Sequence, residues 1–347
     1  MTEINPQKPV LTDERVDDFT ADDFVFVHQN EKLTDTVYEA TSYAKDVWMH
    51  FKKNKGAVFG AVVIIIITFF AIFGPMFSGY KGTAIVQKQQ SLPPRIQGLE
   101  KLGIFNGYER GQNVYAAKGF NNLYHWFGTD TNGRDLFTRV WEGTRVSLII
   151  ALAAAAIDIV IGMSYGLISG YFGGKVDMIM QRIAEVLNGI PTLVAVTLLS
   201  LVLPGGMISI IFALMITGWI GMSRIARAEM LKLKESEYVL ASRTLGASNF
   251  SIIFKDIMPN IFGQLIIMSM FSIPNAIFTE AFLSFVGLGI QPPQASLGSL
   301  ISDGYKSMTI HPFIMIAPIV VLALLMLSFN LFADGIRDAF DPNQKQG

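Results

Sequence analysis

Three polar side chains stand inside long apolar runs of this chain: Asp158 within A-A-A-A-I-D-I-V-I-G, and Asn275 and Glu280 close to Pro274. On insertion scales a carboxylate at the centre of a hydrocarbon layer costs roughly 2.5–3.5 kcal/mol, so each must face a bundle interior or a wet path and have a partner. Two uses fit: lining a pathway, or hydrogen-bonding helices together. The residues leave both open. Pro274 frees a carbonyl in its helix, and Asn275 stands where it can satisfy the exposed groups.

A second set lies in the charged segment between the fourth and fifth apolar runs, Glu229–Asn260. Tyr238, Ala241 and Leu245 recur at helical spacing, which gives a short helix one apolar face. Gly246 falls where a helix C-terminus favours a left-handed residue, and Ser248 or Asn249 can cap the next helix. Pro259 is expected to end that second helix. Ala241, Ser242, Gly246 and Ala247 are small, which allows close backbone approach. The chemistry on offer is recognition: a hairpin shaped to be gripped by another protein, or an ordinary basic amphipathic loop.

Bond-breaking chemistry has little to work with here. The four histidines are scattered at His28, His50, His125 and His311, and no H-E-x-x-H pair or nucleophile elbow occurs. The nearest approach to a phosphate-binding loop is G-Y-F-G-G-K at Gly170–Lys175. It is one residue short between its glycines, and Val176 stands where Ser or Thr would hold magnesium.

The elements that must position these residues follow from composition. Of 347 residues 51% are hydrophobic and 16% charged, with no cysteine, and the mean hydropathy is +0.42. Soluble domains carry nearer a quarter charged residues. Six apolar runs, at about 57–78, 146–172, 180–203, 207–223, 261–283 and 312–333, approach or exceed the roughly 20 residues that cross a hydrocarbon core. Backbone amides in lipid must be satisfied internally, so the runs are helices. An all-α polytopic membrane protein is expected, and such spans argue against a nucleic-acid role. Gly162, Gly166 and Gly170 form a small-residue face suited to close helix packing.

The first fifty residues are polar, with Asp17, Asp18, Asp22 and Asp23, and do not read as a signal peptide. From Leu33 through Val37, Ala40, Ala44, Trp48 and Phe51 one helical face is apolar, followed by Lys52, Lys53 and Lys55. That reads as an interfacial helix on the cytoplasmic leaflet, against the alternative of a solvated tail. Lysine and arginine then set the orientation. The N-terminus, Lys175 and Arg182, the basic 224–260 segment (Arg224, Arg227, Lys232, Lys234, Arg243, Lys255) and the C-terminus with Arg337 and Lys345 fall inside. The segment 79–145 and the turn at Pro204-Gly205-Gly206 fall outside.

Four stretches carry a family resemblance. F-G-T-D-T-N-G-R-D-L-F-T-R-V-W-E-G-T-R-V-S-L at Phe127–Leu148, L-S-F-V-G-L-G-I-Q-P-P-Q-A-S-L-G at Leu283–Gly298 and A-D-G-I-R-D-A-F-D-P at Ala333–Pro342 are similar to runs of the C-type permease subunit of oligopeptide and dipeptide ABC importers. In the same register A-S-R-T-L-G-A-S, at 241–248, resembles that subunit's coupling loop. The general E-A-A-x3-G motif of ABC permeases is met less closely, with Leu240 at the Glu, Ser242 at the second Ala and Met258 before Pro259. The resemblance covers about residues 50–342; the acidic tail and the part at about 80–120 fall outside it.

The resemblance implies a type I ABC importer permease with six transmembrane helices, both termini cytoplasmic, in a bacterial plasma membrane. It divides the chain into a tail and interfacial helix (1–50), a first span with a long external loop (51–140) and a permease core (141–342) carrying the coupling loop at 224–260. It implies a transport subunit and not an enzyme, with no cofactor of its own. ATP and magnesium would be held by two cytoplasmic ATPases, the channel completed by a B-type permease, and peptide delivered by an extracellular binding lipoprotein. An importer of nickel, dipeptides or opines, or a peptide sensor that does not transport, are the alternatives. Within the resembling runs, Asp130, Gly133, Arg134 and Asp135 form either a salt-bridged cap on the bundle or a ligand contact. Gly287, Gly289, Pro292 and Pro293 are expected to end a span in a fixed turn. Asp334, Arg337 and Asp341 either pair with the basic loop or face solvent.

Overall fold

The structure is a computed structural model that describes residues 43–203 and 206–340. Almost all of these belong to one compact unit, Ala44–Gly347; the acidic tail and the start of the interfacial helix lie outside the described residues, as do Pro204, Gly205, Asp341 and Lys345.

Five helical stretches are long and apolar enough to cross a membrane: Lys55–Ser78, Leu136–Phe172, Met207–Leu233, Asn249–Phe285 and Phe313–Phe340. A bent pair, α6 (Gly174–Asn188) and α7 (Thr192–Val202), which meet at 78°, adds a sixth crossing if the two form one broken span rather than a re-entrant loop. The apolar run at about 180–203 is therefore not one continuous helix. Gly189 and Pro191 interrupt it, because the residue before proline is pushed out of the α region.

Helix α1 (Tyr43–Lys53) leads into α2 (Lys55–Ser78) through Asn54. Asn54 caps α2 by accepting from the Ala57 amide at 3.1 Å. Its own amide donates to Asp338 at 3.0 Å, tying the start of α2 to the end of the last helix, α14 (Phe313–Phe340). Small residues allow these two helices to meet closely: a Cβ on Gly60 would reach the Ser328 carbonyl at 2.6 Å, and Gly335 abuts Ala57. Near its far end α2 contains Pro75, which cannot bond the Ala71 carbonyl. Arg145 replaces the missing donor, with Nε 2.8 Å from Ala71 O and Nη2 2.9 Å from Ile72 O.

The second crossing begins at Leu136 rather than at about 146. It comprises α4 (Leu136–Ile157), a π-turn (Asp158–Met163) and α5 (Ser164–Phe172). The extra turns carry Arg139, Glu142 and Arg145, which apolarity alone marks as loop. Asp135 caps α4, accepting from the Thr138 amide at 2.9 Å and from its hydroxyl at 2.8 Å.

The segment between α2 and α4 is itself folded. A two-stranded hairpin pairs β1 (Tyr108–Glu109) with β2 (Gln112–Asn113) across Arg110 and Gly111, both at positive φ, and runs on into a single helical turn, α3 (Val114–Ala117). Two-residue hairpins favour that twist. Arg95 organises the interior: its guanidinium lies over Tyr115 and Tyr124, at 5.1 and 4.6 Å from their ring centroids, and its Nε bonds Glu100 at 2.8 Å. Burial pushes the Tyr115 phenol above its ordinary range, and its hydroxyl donates to Pro93 O at 2.9 Å. Asp130 accepts from the amides of Asn132 and Arg134, both at 2.9 Å, and from Arg134 Nε at 2.6 Å. Buried Arg139 lies 3.6 Å from the same carboxylate.

Helices α8 (Met207–Thr217) and α9 (Ile220–Leu233) form the next crossing. Gly162, Gly166 and Gly170 face Met222, Ala226 and Met230 of α9, one contact per turn. The Asp177–Arg227 pair, at 2.6 Å from Nε, fixes α6 to α9. Pro259 does not end a helix. The chain runs helically from Asn249 to Phe285 through α11 (Asn249–Ser251), a second π-turn (Ile252–Ile257) and α12 (Met258–Phe285). The Met258 amide bonds Ile253 O, five residues back, and this widened turn leaves room for a proline that has no amide to offer. After Phe285 the glycine and proline run forms a turn: Gly287 is left-handed, and Ser296 opens α13 (Leu297–Lys306) with a capping box.

Side-chain contacts sort into two ends. Glu109 meets His311 at 2.9 Å and Arg110 donates to Thr309 O at 3.1 Å at one end. Asn54–Asp338 and Tyr171–Asn249 (3.0 Å) lie at the other.

Candidate functional site

The segment between α9 and α12 forms the projecting hairpin. Helix α10 (Glu237–Thr244) follows Ser236 and ends at Leu245. Gly246 has φ +82°, and Ser248 caps the following turn by accepting from the Ser251 amide at 3.3 Å. The periodic apolar face proves to be the outward one: Tyr238 is 40% exposed and Leu245 87%, with Ala241 exposed beside them. Leu240 and Phe250, at 45% and 71%, widen the patch. What holds α10 to the bundle is Val239, fully buried with Ile252, Ile253 and Ile257 against Met163, Leu167, Met222 and Met230. Ser242 and Ala247 are half-buried. Tyr171 supports the hairpin from α5, its hydroxyl on Asn249 and its ring 5.7 Å from the Arg243 guanidinium. Period alone could not tell the inward face from the outward one in an eight-residue helix whose outward face is also apolar.

A second feature sits among the spans. A cavity of about 680 Å³ opens between the π-turn of the second crossing, the α6–α7 bend, the α8–α9 junction and the middle of α12. Asp158, Ser272, Asn275 and Thr279 line it from the two long crossings. Asn188, Thr192 and Thr217 add polar groups from the bend and from α8, and Arg337 reaches it from α14. Asp158 is only 6% exposed, with Ser272 as its side-chain neighbour. Asn275 opens into the cavity, and its carbonyl accepts from Thr279 Oγ1 at 2.8 Å.

Glu280 lies elsewhere. It is fully buried and accepts from Ser147 Oγ and Ser284 Oγ, both at 2.7 Å, while Ser284 Oγ accepts from the Ile290 amide at 3.1 Å. These bonds tie α4, α12 and the following turn into one unit. The structure thus brings Asp158 and Asn275 to one cavity and sets Glu280 apart. Sequence reading missed Asn188, Thr192, Thr217 and Ser272, because a hydroxyl or amide in an apolar run carries no signal of its direction. Arg337, expected from the sequence to mark the cytoplasmic side and to pair with the basic loop or face solvent, lines the cavity instead. Asp338, its neighbour, has Asn54 as partner instead.

Five continuous spans and a bent pair of apolar helices thus surround a polar cavity, with a hairpin between α9 and α12. The family model for the binding-protein-dependent transport system inner membrane component matches residues 162–346, and that for the N-terminal transmembrane domain of oligopeptide transport permease C matches 42–94. The oligopeptide transport system permease protein of Bacillus subtilis is 42% identical over 308 residues, 89% of this chain and 92% of its own length. The dipeptide transport system permease proteins of Lactococcus lactis and B. subtilis are 44% and 39% identical, over 88% and 97% of this chain and 92% and 99% of their own lengths. An inward-facing form of the MetNI methionine ABC transporter aligns with 57% of this chain and 95% of its own at 18% identity and a TM-score of 0.48, too loosely to carry any part of the argument. The chain belongs to the binding-protein-dependent ABC permeases, in the C-type branch of the oligopeptide and dipeptide systems. It is a multi-pass inner-membrane transport component, and ATP hydrolysis in such a system is the work of a separate subunit.

Proposed function

We propose that this chain is one half of a peptide import channel, with its hairpin at 224–260 on the cytoplasmic side. The other half is a B-type permease, and two cytoplasmic ATPases, which hold ATP and magnesium, dock on the hairpins. An extracellular binding lipoprotein supplies the peptide. The observation that carries the reading is the polar cavity. Asp158, Asn275, Arg337 and the hydroxyls around them cannot face lipid without severe desolvation, so this face of the bundle belongs against water and a second subunit.

The exposed Tyr238, Leu240, Leu245 and Phe250 support the docking role, because an apolar patch outside the spans, rimmed by Arg243 and Lys255, marks a protein contact. Tyr238, Ala241, Ser242, Leu245, Gly246, Ala247 and Ser248 form that contact, while Pro259 belongs to the helix that carries the hairpin. Closure of the ATPases would then pull on α10. Val239 passes that pull to the apolar cluster containing Met163 of the first π-turn and Met222 of the cavity wall. Rigid rocking of packed helices converts such a pull into opening on alternate sides.

The test is hydrolysis. Purified alone, this chain shows no ATPase activity; with its ATPase subunits and permease partner, hydrolysis appears and rises when peptide-loaded binding protein is added. Vanadate-sensitive hydrolysis by the isolated chain, or a complex indifferent to loaded binding protein, refutes the reading.

A further inference from the structure

Asp158 has the form of a ligand contact within the cavity. It opens a π-turn, a local widening of the helix that recurs at functional sites because it re-aims side chains at the expense of regular bonding. Its carboxylate is buried, yet among the described residues no lysine, arginine or histidine pairs with it; Ser272 is the neighbouring side chain. The contrast with the other acids is instructive. Asp130 has Arg134 and Asp177 has Arg227, whereas Glu280, likewise without a cation, is held by two serine hydroxyls and lies outside the cavity that Asp158 lines. Arg337 lines the same cavity but forms no ion pair with Asp158 among the described residues, so a carboxylate with only the Ser272 hydroxyl and the nearby Asn275 amide around it is complementary to a ligand that brings its own cation.

Resting on the reading of the chain as a peptide permease, we infer that Asp158 binds a primary ammonium group of the peptide in transit, with Ser272 and Asn275 as hydrogen-bonding neighbours. The ammonium is either the α-amino terminus or a lysine side chain; the chemistry is the same and the experiment separates the two.

The complete importer is reconstituted in proteoliposomes with wild-type chain, Asp158→Asn or Asp158→Glu. Three peptides that the binding protein takes with equal affinity are supplied: one with a free amino terminus and no lysine, one acetylated with an internal lysine, and one acetylated without lysine. Loss of a charge-assisted contact lowers the transport rate about tenfold. Asp158→Asn is expected to slow the ammonium-bearing peptides by that factor and to leave the acetylated, lysine-free peptide at the wild-type rate, while Asp158→Glu retains most transport. A loss confined to the first peptide assigns the α-amino group; one that includes the second assigns any primary ammonium. Equal loss for all three peptides would mean that Asp158 braces the helices or pairs with the other permease, and wild-type rates throughout would mean that it touches nothing in transit; either result overturns the inference. Failure of the wild-type importer to carry any of the three would instead refute the underlying peptide reading.

Discussion

Gly246 and Gly166 ask opposite things of a substituted side chain. At Gly246 the backbone is left-handed and, among the described residues, no non-neighbouring atom lies within 4 Å of a Cβ, so a side chain there meets a strain of about 1 kcal/mol and otherwise points outward. At Gly166 a Cβ would run into the Ser223 carbonyl and approach Ala226 at 2.8 Å. Gly246→Arg is therefore expected to insert at normal levels and abolish uptake, with the ATPases lost from the membrane or deaf to peptide. Ala241→Arg should match it. Lys232→Ala is the control: Lys232 pairs with Glu229 at 2.7 Å but is 66% exposed, and such pairs are worth little. Gly166→Val should do the reverse and lower the folded level, since overpacking costs about 1–3 kcal/mol. Immunoblots of membranes, with uptake on the same cells, separate the two cases. The residue types were legible in the sequence at both sites. The difference was not, because only the fold sets a neighbour opposite Gly166 and open space opposite Gly246.

Among the elements, apolarity alone located five continuous spans and the apolar stretch that forms the bent pair α6–α7. The ends escaped it where polar side chains are satisfied from within the fold. Arg139 and Arg145 look like loop residues until Asp130 and the carbonyls beside Pro75 are placed next to them. The bend at 188–191 and the continuity through Pro259 escaped for a related reason: a proline marks a disturbed turn, and the surroundings decide whether the helix breaks or widens. Arg145 offers a direct check. Arg145→Met strips the donors from Ala71 O and Ile72 O and should cost about 1–3 kcal/mol, read as a lowered unfolding temperature in detergent. Arg145→Lys, which keeps one charged donor, should lose less. Equal melting of all three proteins would mean that Arg145 is not what satisfies the bend.

For the molecule as a whole, the orientation proposed from lysine and arginine can be tested on a background without cysteine. Cysteines placed at Gln90 or Ala116 should react with an impermeant thiol reagent in intact cells, and those at Lys234 or Gln346 only after the membrane is opened. Labelling at Lys234 in intact cells would place the hairpin on the wrong side for any cytoplasmic ATPase. The turn chemistry read at Asp130, Gly133, Arg134 and Asp135 does form a charge-paired turn, and the cavity at Asp158 and Asn275 is assembled from stretches far apart in the chain, which no single run of residues could announce. The most direct measurement is uptake of labelled peptides of graded length by cells from which this chain has been deleted. The account predicts that accumulation is lost, returns with the wild-type chain and does not return with Gly246→Arg; undiminished peptide accumulation in the deleted cells, with no other importer supplying it, would contradict the account.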